Sequence, residues 1–538
     1  MTLLFDVDGM VDAVNRLAFL IGSVVLASSS GAGTLRLADF DADCGQPQHN
    51  CRTAFQKAFD AAQKAGGGTL RLPAGTFSVD FPEVSNDVSS GRPLQKSSFM
   101  MVPSNVTIEG HANAAGMPDT TIEWKTTSIP VFVFANASSS GITNVHFRFT
   151  GTAPARYPYG DVALLRALGF NPTFPHQNQM SGGNYEMSSV VMLFGSEHCT
   201  FSNIVFDSAT HDNQHVFGFA FEVKGKGLVT AGFGGGLSDT AADNRFSNIK
   251  IYDFVMGLMV AGQENLLIEN VTGDRRGSTS AIAPGHLIYL TGTALFDTKG
   301  IVKRTSNKNV TVRNIQEGSA TYDNSQALGT LAVKSVNGGS FQSVISHHPA
   351  GLIQTLQADQ NLQFDDLQWF GDRNYCAEGG ERFCATPVIE SAASTAEDPP
   401  MQSLTFRNVL VQSTVREVSV NLIGSDITVD GLTIRTLPGF RKDQTSPASV
   451  LSLRQASNAR VTNYNYVPVI ASFDAGVKYN QPFVCWGACS NVHADVTVKW
   501  PKSVAVPKAA ERAITSGFQT RKDGDGNTVT SHVEAAAP

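Results

Sequence analysis

Short apolar runs that alternate with polar residues fill this chain, and long helical stripes are rare. The clearest stretch runs from Asn244 to Val271, NRFSNIKIYDFVMGLMVAGQENLLIENV, and contains one small phrase twice. The phrase is apolar, any, Asn or Asp, apolar: Phe246-Ser247-Asn248-Ile249 returns as Ile268-Glu269-Asn270-Val271, 22 residues later. Further copies begin at Ile142, Phe201, Val312, Phe364, Phe406 and Val461, and looser ones with Gly or Ser in third place at Ile108, Phe341 and Val429. Successive copies are 34, 59, 45, 22, 44, 29, 23, 42, 23 and 32 residues apart, so the floor of 22–23 reads as one coil and the excess as insertion.

A second apolar run precedes most copies, as VVMLFG before FSNI, GLMVAG before IENV and VSVNLIG before VDGL. Two or three brief strands with Gly or Asn at the corners cannot bury their own apolar face, so the unit is stable only when stacked on copies of itself. Alternation turns Leu258, Val260, Leu266 and Ile268 inward and Met259 and Ala261 outward. The prediction is an all-β chain, a single-stranded right-handed parallel β-helix, its hand following from the rule for parallel crossovers. The interval from Phe201 to Phe246 leaves room for one unrecognised coil, since HVFGFAFEVKG reads as strand.

Ahead of the coils, Ala54 to Lys64 places Phe55, Phe59 and Ala62 on one helical face and stops at Gly66-Gly67-Gly68. An amphipathic helix here, about 53–65, is the expected cap over an otherwise open solenoid end. The helix followed by GGGTLRLPAGTF and then coils resembles the opening of the pectate-lyase-like superfamily, which includes rhamnogalacturonases, polygalacturonase relatives and phage tailspikes. The resemblance covers roughly Leu37 to Val498 and implies a carbohydrate-active β-helix protein. The polygalacturonase signatures Asn-Thr-Asp, Gly-His-Gly and Arg-Ile-Lys do not carry over; the nearest phrase is Pro284-Gly285-His286.

The division that follows is a leader at 1–33, a β-helix domain at 34–500 and a covering segment or loose tail at 501–538. Arg16, the apolar run from Leu17 to Ala27 and the small Ala27 and Ser29 suit a secretory signal, and eleven apolar residues are too few to span a bilayer. Export also suits six of the seven cysteines, which form the close pairs Cys44/Cys51, Cys376/Cys384 and Cys485/Cys489, with Cys199 left as a buried thiol. Asn105, Asn136, Asn270 and Asn309 head sequons that equally suit a turn into a strand.

Charged residues are only 16% of the chain, as expected when stacked strands bury much of each coil, and the net charge of −7 with no long basic run argues against a nucleic-acid binder. No membrane partner is expected; the chain is a monomer or homotrimer working on an extracellular polysaccharide or oligosaccharide. No cofactor is required by any motif, no zinc-finger spacing is present, and no Ca²⁺ loop with recognisable spacing stands out.

Insertions locate the candidate site, because in a solenoid they leave from one corner and wall a groove. Long ones follow Arg148, Asp207, Asp274 and Asp372. At that corner Asp207, Asp253 and Asp274 stand three or four residues beyond three successive phrases, with His211, Asp212 and His215 in the same loop as Asp207. Strand spacing of about 4.8 Å would set carboxylates one coil apart near the separation of retaining glycosidases and two coils apart near that of inverting ones. Arg275, Arg276, His286 and Tyr289 lie beside them, Tyr289 facing outward next to Met259 and Met192, and Trp369 is the first choice as a sugar platform, ahead of Trp124, Trp486 and Trp500.

Two chemistries suit such a set. A glycoside hydrolase would use Asp207, Asp253, Asp274, Asp212 and His211 as its catalytic groups; a polysaccharide lyase would use Arg to neutralise a uronate and His or Tyr to move the proton beside it. Hydrolysis comes first in this reading, then β-elimination, then a tailspike-like depolymerase, a uronan epimerase or a glycan-binding adhesin. Asn203, Asn248, Asn270, Asn314 and Asn408 read as a structural ladder.

Overall fold

A computed structural model describes residues 33–81, 97, 99–125, 129–151, 189–209, 219–228, 237–254, 256–274, 285–297, 300–318, 329–348, 350–371, 387–392, 399–438, 449–471, 479–504 and 526–535. These form coil upon coil of parallel strands joined into one continuous sheet system, a single-stranded right-handed parallel β-helix capped by a helix. Each coil has three sides. In one of them, Ser189–Phe194 contributes to a first sheet, and Thr200–Ser208 bends at Asn203 to contribute to a second and a third.

Every interval read from the sequence joins hydrogen-bonded neighbours. Ile108 pairs with Ile142, and the series continues through Phe201, Phe246, Ile268, Val312, Phe341, Phe364, Phe406 and Val429 to Val461. Phe201 meets Phe246 directly, so no coil is hidden between them: FAFEVK is the first-sheet strand of the Phe246 coil, lying between Ser189–Phe194 and Met256–Ala261.

The phrase recurs because its third residue makes a corner. Asn144, Asn203, Asn248, Asn270, Asn314, Asn408 and Asn463 all have φ between 51° and 57°, the left-handed region that Asn tolerates better than most residues. Their amides bond along the stack: Asn203 Nδ2 donates to Asn144 Oδ1 at 2.8 Å, Asn270 to Asn248 at 2.9 Å and Asn314 to Asn270 at 3.0 Å. A second ladder marks the corner between the first and second sheets, where Asn309 donates to Asn265, Asn265 to Asp243 and Asn491 to Asn458. All four sequon asparagines have positive φ, so turn chemistry accounts for them.

Inside, like residues stack at the strand spacing. Phe341 lies 4.8 Å from Phe364, which lies 4.7 Å from Phe406, while Phe201 lies 5.1 Å from Phe246. The cap helix, Arg52–Lys64, buries Ala54, Phe55, Ala58, Phe59 and Ala62, and its two Phe rings meet Phe132 of the first sheet at 5.6 and 6.0 Å. It ends where Gly66 and Gly67 turn to positive φ and Gly67 N–H bonds back to Ala62 O. Among the described residues no helix is long and apolar enough to cross a membrane.

Cys485 and Cys489 are bridged, and Cys199 is a buried thiol as expected. The pairing of Cys44 with Cys51 is corrected: both are free thiols. Cys376, Cys384 and residues 1–32 of the expected leader lie outside the described residues.

Candidate functional site

The segments 152–188, 210–218, 275–284 and 372–386 each lie between the third-sheet strand of one coil and the first-sheet strand of the next. Two outer faces therefore flank the corner that the insertions share, and each carries charge.

On the third sheet, strand register brings Arg148, Asp207, Tyr252 and Asp274 into one outward row. Asp207 and Asp274 are thus two coils apart, about 10 Å at ordinary strand spacing, with Tyr252 between them. Asp253 is corrected out of this row. It falls one residue later, at φ 58° and buried, in the turn that leads to Met256. Burial pushes the Asp207 carboxyl up, but His146 Nε2 at 2.8 Å and Arg148 Nε at 3.3 Å outweigh it and hold the group below the usual carboxylate range. The His146 contact is an ion-pair distance without the alignment of a good hydrogen bond, so the Arg148 bond is the directional one. Beside this row a hollow of about 220 Å³ lies between Met117 and the strand residues Val205, Lys250 and Thr272.

On the first sheet the outward row is Met192, Glu222, Met259, Tyr289 and Ala332, continuing past a register irregularity to Gln354, Glu390, Asn421 and Ser452. Glu222 Oε1 meets Lys224 Nζ at 2.7 Å with each side chain only 2% exposed, and Ser189 Oγ donates to Oε2 at 3.3 Å. An ion pair so deeply buried on the outside of a sheet costs several kcal/mol of desolvation per ion before its attraction is counted. Three strands further on, Lys334 Nζ donates to Oη of Tyr289 on the strand before it at 3.4 Å and sits 5.2 Å from the ring centre. His286 packs its ring 5.4 Å from that of Tyr289, and its Nδ1 donates to Gly329 O at 2.7 Å, which fixes Nε2 as the lone-pair nitrogen of the neutral ring. Gly329 is held from both sides, since its N–H donates to Gln354 Oε1 at 3.0 Å. Burial pushes the Glu390 carboxyl above its ordinary value. The described groups thus form a row of polar side chains along successive strands, in which Glu222 and Tyr289 are buried in company with Met192 and Met259 of the same row.

The predicted residues divide accordingly. His286 and Tyr289 come together with Lys334; Asp207 and Asp274 share a row on the neighbouring face; His211, Asp212, His215, Arg275 and Arg276 lie outside the described residues. Trp369, expected as a sugar platform, is corrected to a core residue: it is fully buried, donates from Nε1 to His348 O at 2.8 Å and is covered by Arg416 at 4.8 Å. Trp124 and Trp500 are buried as well. The sequence reading missed Glu222, Lys224, Lys334 and Glu390. Their signal was present as charge inside otherwise apolar strands that follow insertions, FEVK, LAVK and VIES.

No protein-family profile matches this sequence, and no curated protein matches it. Solved structures do match. The A-module of a mannuronan C-5 epimerase from Azotobacter vinelandii aligns at 12% identity over 94% of this chain and 100% of that one, with a TM-score of 0.36. DFA-IIIase from Arthrobacter chlorophenolicus, crystallised with GF2, aligns at 10% identity over 88% of this chain and 96% of that one, TM-score 0.42. The catalytic domain of an α-1,3-glucanase in complex with tetrasaccharides aligns at 14% identity over 88% of this chain and 66% of that one, TM-score 0.37. With its cap helix, its corner ladders and its stacked parallel coils, the chain has a right-handed parallel β-helix architecture.

Proposed function

We propose that this chain is a carbohydrate-active enzyme whose polysaccharide substrate is met on the outer face of the first sheet, and that it moves the proton beside a uronate carboxylate. The observation that carries this reading is the contact of Lys334 with Tyr289, backed by His286. Abstracting that proton needs an acceptor at the carbon and a positive charge to stabilise the anion that develops. Tyr289 Oη is the acceptor, passing its own proton to His286 Nε2, and the Lys334 ammonium stabilises the charge on substrate and phenol oxygen. For elimination, the C–O bond to the neighbouring sugar then breaks, and Tyr289 returns the proton to the leaving oxygen while His286 returns the phenolic one. This order departs from the sequence reading, which set hydrolysis first. Incubation with acidic and neutral polysaccharides, reading reducing ends and unsaturated-uronate absorbance together, tests it: both signals must appear on a uronan and vanish in Tyr289→Phe.

A second reading, hydrolysis, is favoured by the register of Asp207 and Asp274, whose separation of about 10 Å is close to that of inverting glycosidases. Reducing ends without absorbance, abolished by Asp207→Asn, would select it. Export to the extracellular space belongs to either reading and is checked by finding the chain in culture medium.

A further inference from the structure

The segment between the first strand and the cap helix gathers donors that neither reading uses. Asp41, Cys44, His49 and Cys51 fall within eleven residues as D-x₂-C-x₄-H-x-C. The structure folds this segment back on itself. His49 Nε2 stands 2.8 Å from Asp41 Oδ2, and one ligand atom each from Asp41, Cys44 and His49 lie within 4.8 Å of one another. Cys51, which immediately precedes the cap helix, adds a second sulfur to the segment: its Sγ stands 3.8 Å from His49 O, and its backbone N–H is tied to Ser78 O at 2.8 Å.

We propose that Asp41, Cys44, His49 and Cys51 form a structural Zn²⁺ site that fastens the cap helix to the first coil. The donor set is two thiols, one imidazole and one carboxylate, the mixture that borderline-soft Zn²⁺ takes and that hard Ca²⁺ or Mg²⁺ does not. Ligand atoms on a tetrahedral zinc stand roughly 3.3–3.8 Å apart, so the donor atoms of Asp41, Cys44 and His49 close on one ion with shifts of about an ångström, and Cys51 joins them by turning its side chain away from His49 O. Four protein donors leave no open coordination position, which makes the role structural. The local sequence supports this geometry: Gly45 and Gln48, at φ 97° and 63°, turn the chain twice between the ligands. Binding releases two thiol protons to solvent and involves no redox change. The competing outcome is a Cys44–Cys51 disulfide, which would consume both sulfurs.

The test uses the full chain, purified under reducing conditions without chelator and titrated with Co²⁺ as a spectroscopic stand-in for Zn²⁺. The expected result is one equivalent of Co²⁺ with the visible bands of a tetrahedral thiolate site, bleached by Zn²⁺ and absent in Cys44→Ser/Cys51→Ser. His49→Gln, which keeps both sulfurs, should weaken Zn²⁺ binding at least tenfold, and added Zn²⁺ should raise the melting temperature of the native chain but not of the double variant. Absence of these bands in folded native chain, or a Cys44–Cys51 bridge in peptides from protein purified without reductant, overturns the proposal. Because every readout is binding or stability, failure here is distinguishable from failure of the catalytic reading.

Discussion

Lys334 places its ammonium 3.4 Å from the phenolic oxygen of Tyr289 while leaning over the same ring. One cation thereby meets both the oxygen that would carry charge and the π-face that attracts it. Tyr289→Phe keeps the ring and its packing and removes only the oxygen. We expect the fold to be unchanged, KM to move little and kcat to fall at least about 100-fold, the scale of losing a general acid-base group. Steady-state kinetics on an acidic polysaccharide check this; a kcat within a few-fold of native would remove Tyr289 from the chemistry.

Glu222 and Lys224 call for a different experiment, because a buried pair can be structural. Lys224→Met alone strands the Glu222 carboxylate and should destabilise by about 3–5 kcal/mol, whereas Glu222→Leu/Lys224→Met should recover much of that loss. Denaturant melts read the stability and turnover reads the rest. A stable but inactive double variant would mean that the pair serves substrate.

The acid limb of stability should report on Asp207. Its folded-state pKa is depressed, so the stabilisation is fully present above the unfolded value of about 3.9 and is lost as pH falls through the lower folded value. Asp207→Asn should therefore cost about 1–2 kcal/mol near neutrality, discounted because Arg148 is partly exposed, and the gap to native should close in strong acid. Melts at descending pH check the sign. A gap that widens as pH falls would contradict it.

At the corner ladder, Asn270 donates to Asn248 and accepts from Asn314 while holding φ at 54°. Asn270→Ala loses both bonds and strains the corner, for about 1–3 kcal/mol; Asn270→Gly keeps the backbone relaxed and should cost less. Equal costs, read from the same melts, would mean that the bonds and not the conformation carry the effect.

How much of this was legible follows from what each position demands. The third-sheet corner wants a left-handed residue between two buried ones, so Asn203, Asn248, Asn270 and Asn314 announce it, and their partners fall in register. The other corner accepts Asn105, Ser139, His198, Asp243 and Gly338, a set too mixed to read as one position. Asp253 was misplaced by counting four residues where the row needs three, and in a strand one residue reverses the face. Trp369 was chosen as a platform for its corner position in its coil, yet register sets it between Ser346 and Val411 in a fully buried row. Glu222 and Lys224 were missed because FAFEVK was weighed as a spare coil and not as the wall between Met192 and Met259.

The stacked rings of Phe341, Phe364 and Phe406 and the repeating corner amides carry a consequence for folding. Each layer presents nearly the same chemistry to its neighbour, so a strand that docked one whole coil out of place would find much of its native welcome. Local contacts discriminate poorly between layers. What distinguishes them is the tether: intervals of 22, 44, 29, 23 and 42 residues differ from one coil to the next. A skipped layer would stretch a short tether or leave a long one slack with buried faces unmatched. The uneven intervals thus act as a key that tells each coil its place in the sequence of layers.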